Sequence, residues 1–454
     1  MRRAALLLAA VVCVSAAAQE NDDLGRIPSA VGAQQQQAAP AAAHGKYFVE
    51  DDLGLASYRG TYAVPLPYAS GSRWANRLSL DALDQWSLTP ELTLDYADRL
   101  SATASDGIVF PRDSVRNEIK ELYLVWEPVP RTYVEVGRIN VREGAYGFSP
   151  VDFFSARTTV AQASSSPLAA RENRLGTVML RAQRVFDGGT FSFIYAPKLH
   201  DPAPLGAVPD WIDPKIDQTN GTNRLLASLS LEVEDFSPEF FLYHDSGRTK
   251  LGLSLSHPVG NAIIAYAAWS GGKAPGLATD AFRFAQRTGT IPAFVPLPPP
   301  LDTSRSFRSE LSLGASWTVS EKVNVVAEYD YNGAGLTRGD WRNWFSFGAA
   351  PSNAPMAWYV RGYAGDRQQP ISQHQMFAYA SWYEPFNFEK FGLGAYAMTS
   401  LEDGSTVGQL AATWDLSDRW SAGLYLGGSM GGRKSEWGSM QGAASATLQL
   451  LRYL

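Results

Sequence analysis

The chain has 454 residues, with 45 acidic residues against 39 lysines and arginines and a formal net charge of -6. This mild acidity argues against a nucleic-acid partner, because nucleic-acid-binding proteins present a basic surface. The single cysteine, Cys13, excludes an internal disulfide framework and a zinc site built from cysteines.

The amino-terminal residues predict a secretory signal peptide over residues 1–18. Two arginines follow the initial methionine, and residues 4–14 form an apolar segment that is too short to span a bilayer. Small residues at positions 15–18 provide a cleavage site before Gln19. Because Cys13 lies inside this segment, we expect the mature chain to have no thiol nucleophile.

Residues 19–53 are predicted to form a disordered periplasmic arm. They include the run AQQQQAAPAAAH, whose composition cannot bury enough apolar surface to form a core. From residue 54 to residue 454 the composition is uniform, with many aromatic residues and glycines and no linker. We therefore expect a single folded unit over residues 54–454.

Alternating apolar and polar residues predict β-strands throughout this unit. The stretches 323–331 and 225–233 show a period of two most clearly. With their flanks, most such runs reach about ten residues, the length of a tilted strand that crosses a bilayer. Strands of a soluble sandwich are shorter. The predicted fold class is all-β: a transmembrane antiparallel β-barrel in the outer membrane of a Gram-negative bacterium.

The runs number 18, and an even number suits a closed single-chain bacterial barrel. They lie at 54–64, 74–84, 91–101, 115–127, 131–139, 174–184, 188–197, 223–234, 238–246, 249–257, 260–269, 307–318, 322–331, 371–384, 388–398, 404–415, 418–428 and 443–454. The apolar stretch 356–363, MAWYVRGY, is assigned to a loop because a nineteenth strand would break the parity.

The connections between these strands alternate in length. Those after even-numbered strands are tight, as in SLTP, EPVP and FDGG. The other side receives the long segments 102–114, 140–173, 198–222, 270–306, 332–370 and 429–442. Short periplasmic turns and long extracellular loops are typical of outer-membrane barrels.

The loop over residues 140–173 begins within the stretch GRINVREGAYGFSPVDFFS, which runs from Gly137 to Ser155. A phosphate-binding glycine loop needs a helix directly after it, and here Pro150 follows instead. Bulky Phe148, Phe153 and Phe154 favour a loop that folds into the barrel mouth and narrows the pore. A passive lid that only seals the extracellular side is the alternative.

Two stretches carry a resemblance to a known group of proteins. YVEVGRINVREGAYGFSPVDFF followed by RENRLGTVMLRAQ, and the later SLEDGSTVGQLAATWDLSDRW, are similar to patterns in Gram-negative outer-membrane β-barrels of the alginate-export and related porin-like families. For alginate exporters, the resemblance implies an 18-stranded barrel with an arginine-lined conduit for an acidic polysaccharide.

Basic residues are concentrated between Arg112 and Arg184. Charged side chains inside membrane strands avoid lipid, so those in mid-strand are expected to face the lumen. The predicted solute path consists of Lys120, Arg138, Arg142, Asp152, Arg157, Arg171, Arg174 and Arg181. The alternative is an internal ladder of salt bridges that braces the barrel wall, since nearby acids such as Glu118 and Glu135 can pair with these bases.

The sequence contains no arrangement typical of an enzyme. Its five histidines are scattered, and none stands at metal-ligand spacing from another. We therefore expect no catalytic activity, no metal and no cofactor.

The leading functional interpretation is a passive outer-membrane channel, constricted by the 140–173 loop, for export or diffusion of a polar, anionic solute such as an acidic polysaccharide. One alternative is a general diffusion porin. Another is a structural or assembly partner in an envelope complex, with a closed lumen. The expected partners are outer-membrane lipid, the solute and a periplasmic protein.

Overall fold

The computed structural model describes residues 46–59, 62–65, 71–105, 114–141, 151–206, 213–296, 301 and 304–454. The predicted signal peptide at 1–18 and residues 19–45 of the predicted arm lie outside the described residues.

Eighteen strands form one sheet. They are β1 Lys46–Tyr58, β2 Gly71–Thr89, β3 Leu92–Ser105, β4 Ser114–Val129, β5 Thr132–Ile139, β6 Thr177–Phe186, β7 Gly189–Ala196, β8 Arg224–Leu231, β9 Glu239–Asp245, β10 Arg248–Val259, β11 Ile263–Ala274, β12 Ser306–Ser320, β13 Val323–Asn332, β14 His374–Tyr383, β15 Phe391–Ser400, β16 Thr406–Ser417, β17 Trp420–Met430 and β18 Gly442–Tyr453. Apart from β1, each lies within a few residues of its predicted position.

The sheet is a closed antiparallel barrel. Each strand pairs with the next along the chain, and β1 also pairs with β18, from Phe48 opposite Tyr453 to Tyr58 opposite Gly442. The predicted fold class and strand number are confirmed.

The start of β1 differs from the prediction, because residues 46–53 belong to the strand and not to the arm. Three successive acids, Glu50 to Asp52, hide the alternation in the sequence. In the barrel, Glu50 and Asp52 are buried on the inner face, whereas Leu53 and Leu55 are about half exposed on the outer face. The strand therefore follows the rule for membrane barrels, with polar residues inside and apolar residues outside.

The two ends of the barrel differ. Connections such as β2–β3, β4–β5 and β6–β7 are two-residue turns, and we call this side the short-turn end. In the described residues, the opposite side, the long-loop end, carries five helices: α1 Pro167–Glu172, α2 Ile216–Thr219, α3 Leu277–Arg287, α4 Arg338–Gly348 and α5 Ala354–Asp366. The stretch MAWYVRGY is not a strand, as predicted, but it forms part of α5.

Helices α3, α4 and α5 pack together around a hydrophobic core of their own, which we call the helical cap. Its buried side chains include Trp341, Trp344, Phe345 and Tyr363, with Val64 from the β1–β2 loop. Helix α4 begins with a capping box between Thr337 and Asp340. Among the helices that the structure describes, none has the length and apolar character needed to cross a membrane.

The helical cap is joined to the β17–β18 loop through buried charges. Arg361 lies 5.3–5.6 Å from the rings of Trp341, Trp344 and Trp358, and burial lowers its pKa to about 10. Its guanidinium donates to Ser439 Oγ at 2.7 Å and to the carbonyl oxygen of Glu436 at 2.8 Å. This contact fixes the loop against the cap.

The carboxyl group of Glu436 is fully buried in this junction. It accepts a hydrogen bond from Ser372, and the backbone N–H of Glu436 donates to Asp403 at 2.6 Å. Burial raises the pKa of Glu436 to about 7. Three loops of the long-loop end therefore meet at one ionisable group.

Gly137 in β5 sits where no other residue fits. Its φ is 141°, and a Cβ added there would lie 2.6 Å from Tyr123 Cα and against the Leu122 carbonyl. We expect Gly137→Ala to destabilise the barrel by about 1–3 kcal/mol through backbone strain and this clash. The loss of stability is measured on gels of samples heated to increasing temperatures, as the temperature at which the band of the folded barrel disappears.

The matched control for this variant is Gly188→Ala. Gly188 also has a positive φ, 89°, but nothing lies within 4 Å of an added Cβ. It therefore reports conformational strain without the clash. Equal losses in the two variants would show that the approach of β4 to Gly137 does not matter.

Candidate functional site

The described part of the connection between β5 and β6 lies inside the barrel. We call its described residues 151–173 the inner loop. Near its start, the ring of Phe153 stacks on Tyr243 of β9 with centroids 4.6 Å apart, and Phe154 lies 5.0 Å below the Arg224 guanidinium of β8. Both phenylalanines are buried in a core formed by strands β5 to β9 and β11. This aromatic contact fixes the inner loop to one wall.

The middle of the inner loop contacts other parts of the wall. The carbonyl oxygen of Ala161 accepts from Arg99 of β3 at 2.8 Å. The Ser165 hydroxyl lies 2.9 Å from the Tyr396 hydroxyl of β15 and accepts from Gln409 of β16 at 3.0 Å. In a ring of 18 strands, β15 lies almost opposite β5. The inner loop therefore crosses the lumen, as the constriction interpretation requires.

Lys120 and Arg181 of the predicted path both face inward from neighbouring parts of the wall. Lys120 Nζ lies 2.8 Å from Asp81 Oδ1 and donates to Asn173 of the inner loop at 3.1 Å. Arg181 donates to Glu135 at 2.6 Å across the β5–β6 pair. Lys120 is thus paired with an acid two strands away, on β2, and Arg181 with an acid on the adjacent strand β5.

Arg174 and Asp152 close the base of the inner loop. The guanidinium of Arg174, 1% exposed, donates to Asp152 and to Asn140 at 2.8 Å each and to the carbonyl oxygen of Val141 at 2.6 Å. The Arg174 side chain therefore joins the two ends of the long connection between β5 and β6.

Arg157 and Arg138 bind mainly to backbone oxygens of other loops. Arg157 pairs with Asp366 of α5 at 3.0 Å and donates to the Ala203 carbonyl oxygen at 2.8 Å. Arg138 donates to the carbonyl oxygens of Gly176, at 3.0 Å, and of Pro214. These contacts tie the inner loop to the cap and to the β7–β8 loop.

Two residues of the predicted solute path remain, Arg171 and Arg142. Arg171 lies in α1, next to the strands β13–β15 on which Leu168 packs, and burial lowers its pKa. Arg142 lies outside the described residues. The structure therefore places the described path residues inside the barrel, on or around the inner loop, with most of them in ion pairs.

Sequence reasoning missed the centre of this network, Arg99. It is 2% exposed and lies 2.9 Å from both Glu50 of β1 and Asp81 of β2. Its signal in the sequence is the alternation within β3, which places Ala97, Arg99 and Ser101 on the inner face. The pairing partners could not be assigned, because strand register is not visible in the sequence.

A second group of acids lies on the β12–β13 wall. Glu310 accepts from Lys250 at 2.6 Å. Glu328 accepts from the Tyr266 hydroxyl at 3.0 Å, and Asp330 accepts from Ser312 at 2.6 Å. The interior is therefore lined by charged groups of both signs on either side of the inner loop.

Within the described part of the chain, no three His, Cys, Asp or Glu side chains are placed to hold a metal ion. Two of the described histidines lie close to neighbouring side chains: His244 lies 3.0 Å from Thr249 Oγ1, and His374 lies 2.7 Å from the Tyr329 hydroxyl. The absence of catalytic activity stays a prediction.

Comparison with solved structures supports the fold. The chain is similar to Pseudomonas aeruginosa OccK5 (OpdH), with a TM-score of 0.51, 8% identity and coverage of 90% of this chain and 98% of the other. It is also similar to P. aeruginosa OccK11 (OpdR), with a TM-score of 0.50, 8% identity and coverage of 90% and 96%. The chain is a transmembrane β-barrel.

No protein-family model matches the chain, and no curated protein matches its sequence. The predicted resemblance to porin-like outer-membrane barrels is confirmed at the level of the fold, whereas the alginate-export family is not shown. At 8% identity, the likeness of this transmembrane β-barrel to the two P. aeruginosa proteins concerns architecture alone.

Proposed function

We propose that this barrel is an outer-membrane channel through which small polar solutes diffuse past the inner loop. The observation that carries the proposal is the path of that loop, which crosses a polar lumen and is fixed to both walls by Phe153 and Ser165. Such an arrangement narrows a pore and leaves polar groups along both sides. The helical cap then forms the entrance at the extracellular side.

The solute is proposed to be small rather than a polysaccharide. A loop across the lumen obstructs an extended polymer. The basic residues of the path, Lys120, Arg157, Arg174 and Arg181, each lie within 3.0 Å of a carboxylate, so their charge is largely compensated. We therefore expect at most a weak preference for anions along the proposed path.

The test is single-channel conductance in a planar bilayer, with reversal potentials in a salt gradient. The informative variant combines Tyr396→Phe and Gln409→Leu, which removes the hydroxyl and the amide that hold Ser165 to the far wall. We expect a larger conductance, because the inner loop is released on one side while strand pairing is unchanged. A reversal potential near zero is expected for both proteins.

The matched control is Tyr425→Phe. Tyr425 is also an inward tyrosine, but its hydroxyl donates to Gln449 on the neighbouring strand β18 at 3.1 Å. We expect this variant to conduct like the wild type. Absence of current from both the wild type and the double variant would contradict a channel and would favour a structural barrel with a closed lumen.

A further inference from the structure

The outer face of strands β1 to β4 is unusual for a surface that contacts lipid. Alternation places apolar residues outward on the barrel, but Asp51, Asp84 and Asp98 also face outward. In the strands that the structure describes, every outward-facing acid lies on β1, β2 or β3. The other fifteen strands place their acids toward the lumen.

Two of these acids form matched pairs with outward-facing amides. Asn76 of β2 donates to Asp51 of β1 at 2.7 Å and also reaches the Asp52 carbonyl oxygen at 3.3 Å. Asn117 of β4, with its amide nitrogen toward β3, donates to the two carboxylate oxygens of Asp98 at 2.9 and 3.2 Å. The third acid, Asp84, accepts from the Tyr47 hydroxyl at 2.9 Å near the short-turn end.

The two acid–amide pairs lie within the apolar band and not at its rim. On β4, Asn117 stands between exposed Val115 on one side and exposed Leu122 and Leu124 on the other. On β1, Asp51 is followed by exposed Leu53 and Leu55. Charged groups on the lipid face of a barrel are destabilising, most of all near the middle of the bilayer, so two acids at this depth indicate a surface that is not covered by lipid.

The same strands are four of the five longest in the barrel, the other being β12 with 15 residues. Strands β1 to β4 have 13, 19, 14 and 16 residues, whereas β5 to β9 have 7 to 10. About 9–11 tilted residues suffice to cross a bilayer. The wall at β2 to β4 is therefore longer than the membrane alone requires, on the side that carries the acid–amide pairs.

We propose that the outer face of β1–β4 packs against the same strands of a second copy of this chain in a cyclic oligomer. The face carries an Asp51–Asn76 pair toward β1 and an Asp98–Asn117 pair toward β4, separated by the apolar Leu78 and Leu80 of β2. A rotation about an axis along the barrel brings one pair of one copy against the other pair of the next. Each carboxylate then meets an amide, and the ring closes.

The proposal is tested by site-specific photocrosslinking in intact outer membranes, with p-benzoylphenylalanine in place of Leu100 of β3, which faces outward beside Asp98. The control position is Leu313 of β12; the two leucines are 36% and 43% exposed. We expect a product of twice the chain mass from position 100 and none from position 313. Combining Asp51→Leu with Asp98→Leu should abolish the product, while a gel shift on heating shows that the barrel is folded.

Three outcomes would overturn the proposal: lipid adducts alone at position 100, a product with a different protein, or equal dimer formation at both positions, which indicates random collision. The inference depends on the transmembrane fold and not on conduction. A barrel that crosslinks but passes no current contradicts only the channel, and a conducting barrel without the crosslink contradicts only the oligomer.

Discussion

Replacing Arg174 with methionine is expected to lower the free energy of unfolding by about 3–5 kcal/mol, because it leaves the carboxylate of Asp152 without its cation in a largely buried site. Arg174 and Asp152 have 1% and 9% side-chain exposure, and the guanidinium also holds Asn140 and the Val141 carbonyl oxygen. Urea unfolding in detergent, followed by tryptophan fluorescence, measures the change.

A double variant separates the effect of the unpaired Asp152 carboxylate from the effect of losing the other contacts of Arg174. Combining Arg174→Met with Asp152→Leu removes both charges, so much of the lost stability should return. The control is Arg131→Met, since Arg131 pairs with Asp187 at 2.6 Å with 61% and 95% side-chain exposure. Exposed pairs contribute little, and we expect an unchanged unfolding midpoint. A double variant as unstable as Arg174→Met would mean that the backbone contacts of Arg174 dominate.

The junction at Glu436 is expected to weaken as the pH rises. Burial raises the pKa of this carboxyl to about 7, from about 4.3 for a free glutamate. The stability contribution of the protonated form is fully present below about pH 4.3 and is lost as the pH rises through 7. The difference in pKa corresponds to about 4 kcal/mol between these limits.

Trypsin cleavage at Arg433 and Lys434, which are exposed beside Glu436, measures the opening of the loop. Between pH 5.5 and 8.5 the cleavage rate of the wild type should rise relative to Glu436→Gln, which keeps an uncharged side chain at every pH. Comparing the two proteins at each pH removes the pH dependence of the protease. A constant ratio would show that Glu436 does not titrate in this range.

The strands were predictable because their signal is local. Lumen-facing and lipid-facing residues alternate within each run of about ten residues, and tight turns separate the runs. The prediction was wrong for the start of β1, where Asp51 adds an outward acid to the inward pair Glu50 and Asp52 and removes the alternation. That departure coincides with the face that we propose to be covered by protein.

The loops could not be predicted in the same way. The contact between Ser165 and Gln409 joins residues 244 positions apart, and the contact between Arg361 and Ser439 joins residues 78 apart. Helix α5 was missed because MAWYVRGY is apolar at both a period of two and a period of 3.6. The capping box at Thr337 and Asp340 was a local signal for α4 that sequence reasoning overlooked.

The pairing of β1 with β18 determines when the barrel wall becomes complete. Until β18 is in place, β1 presents a row of unpaired backbone N–H and C=O groups over eleven residues, from Phe48 to Tyr58. Such an edge pairs readily with other strands. The growing sheet must therefore be shielded from misassociation until its most distant strands meet. A shortened β18 would leave this seam open, although every other strand pair had formed.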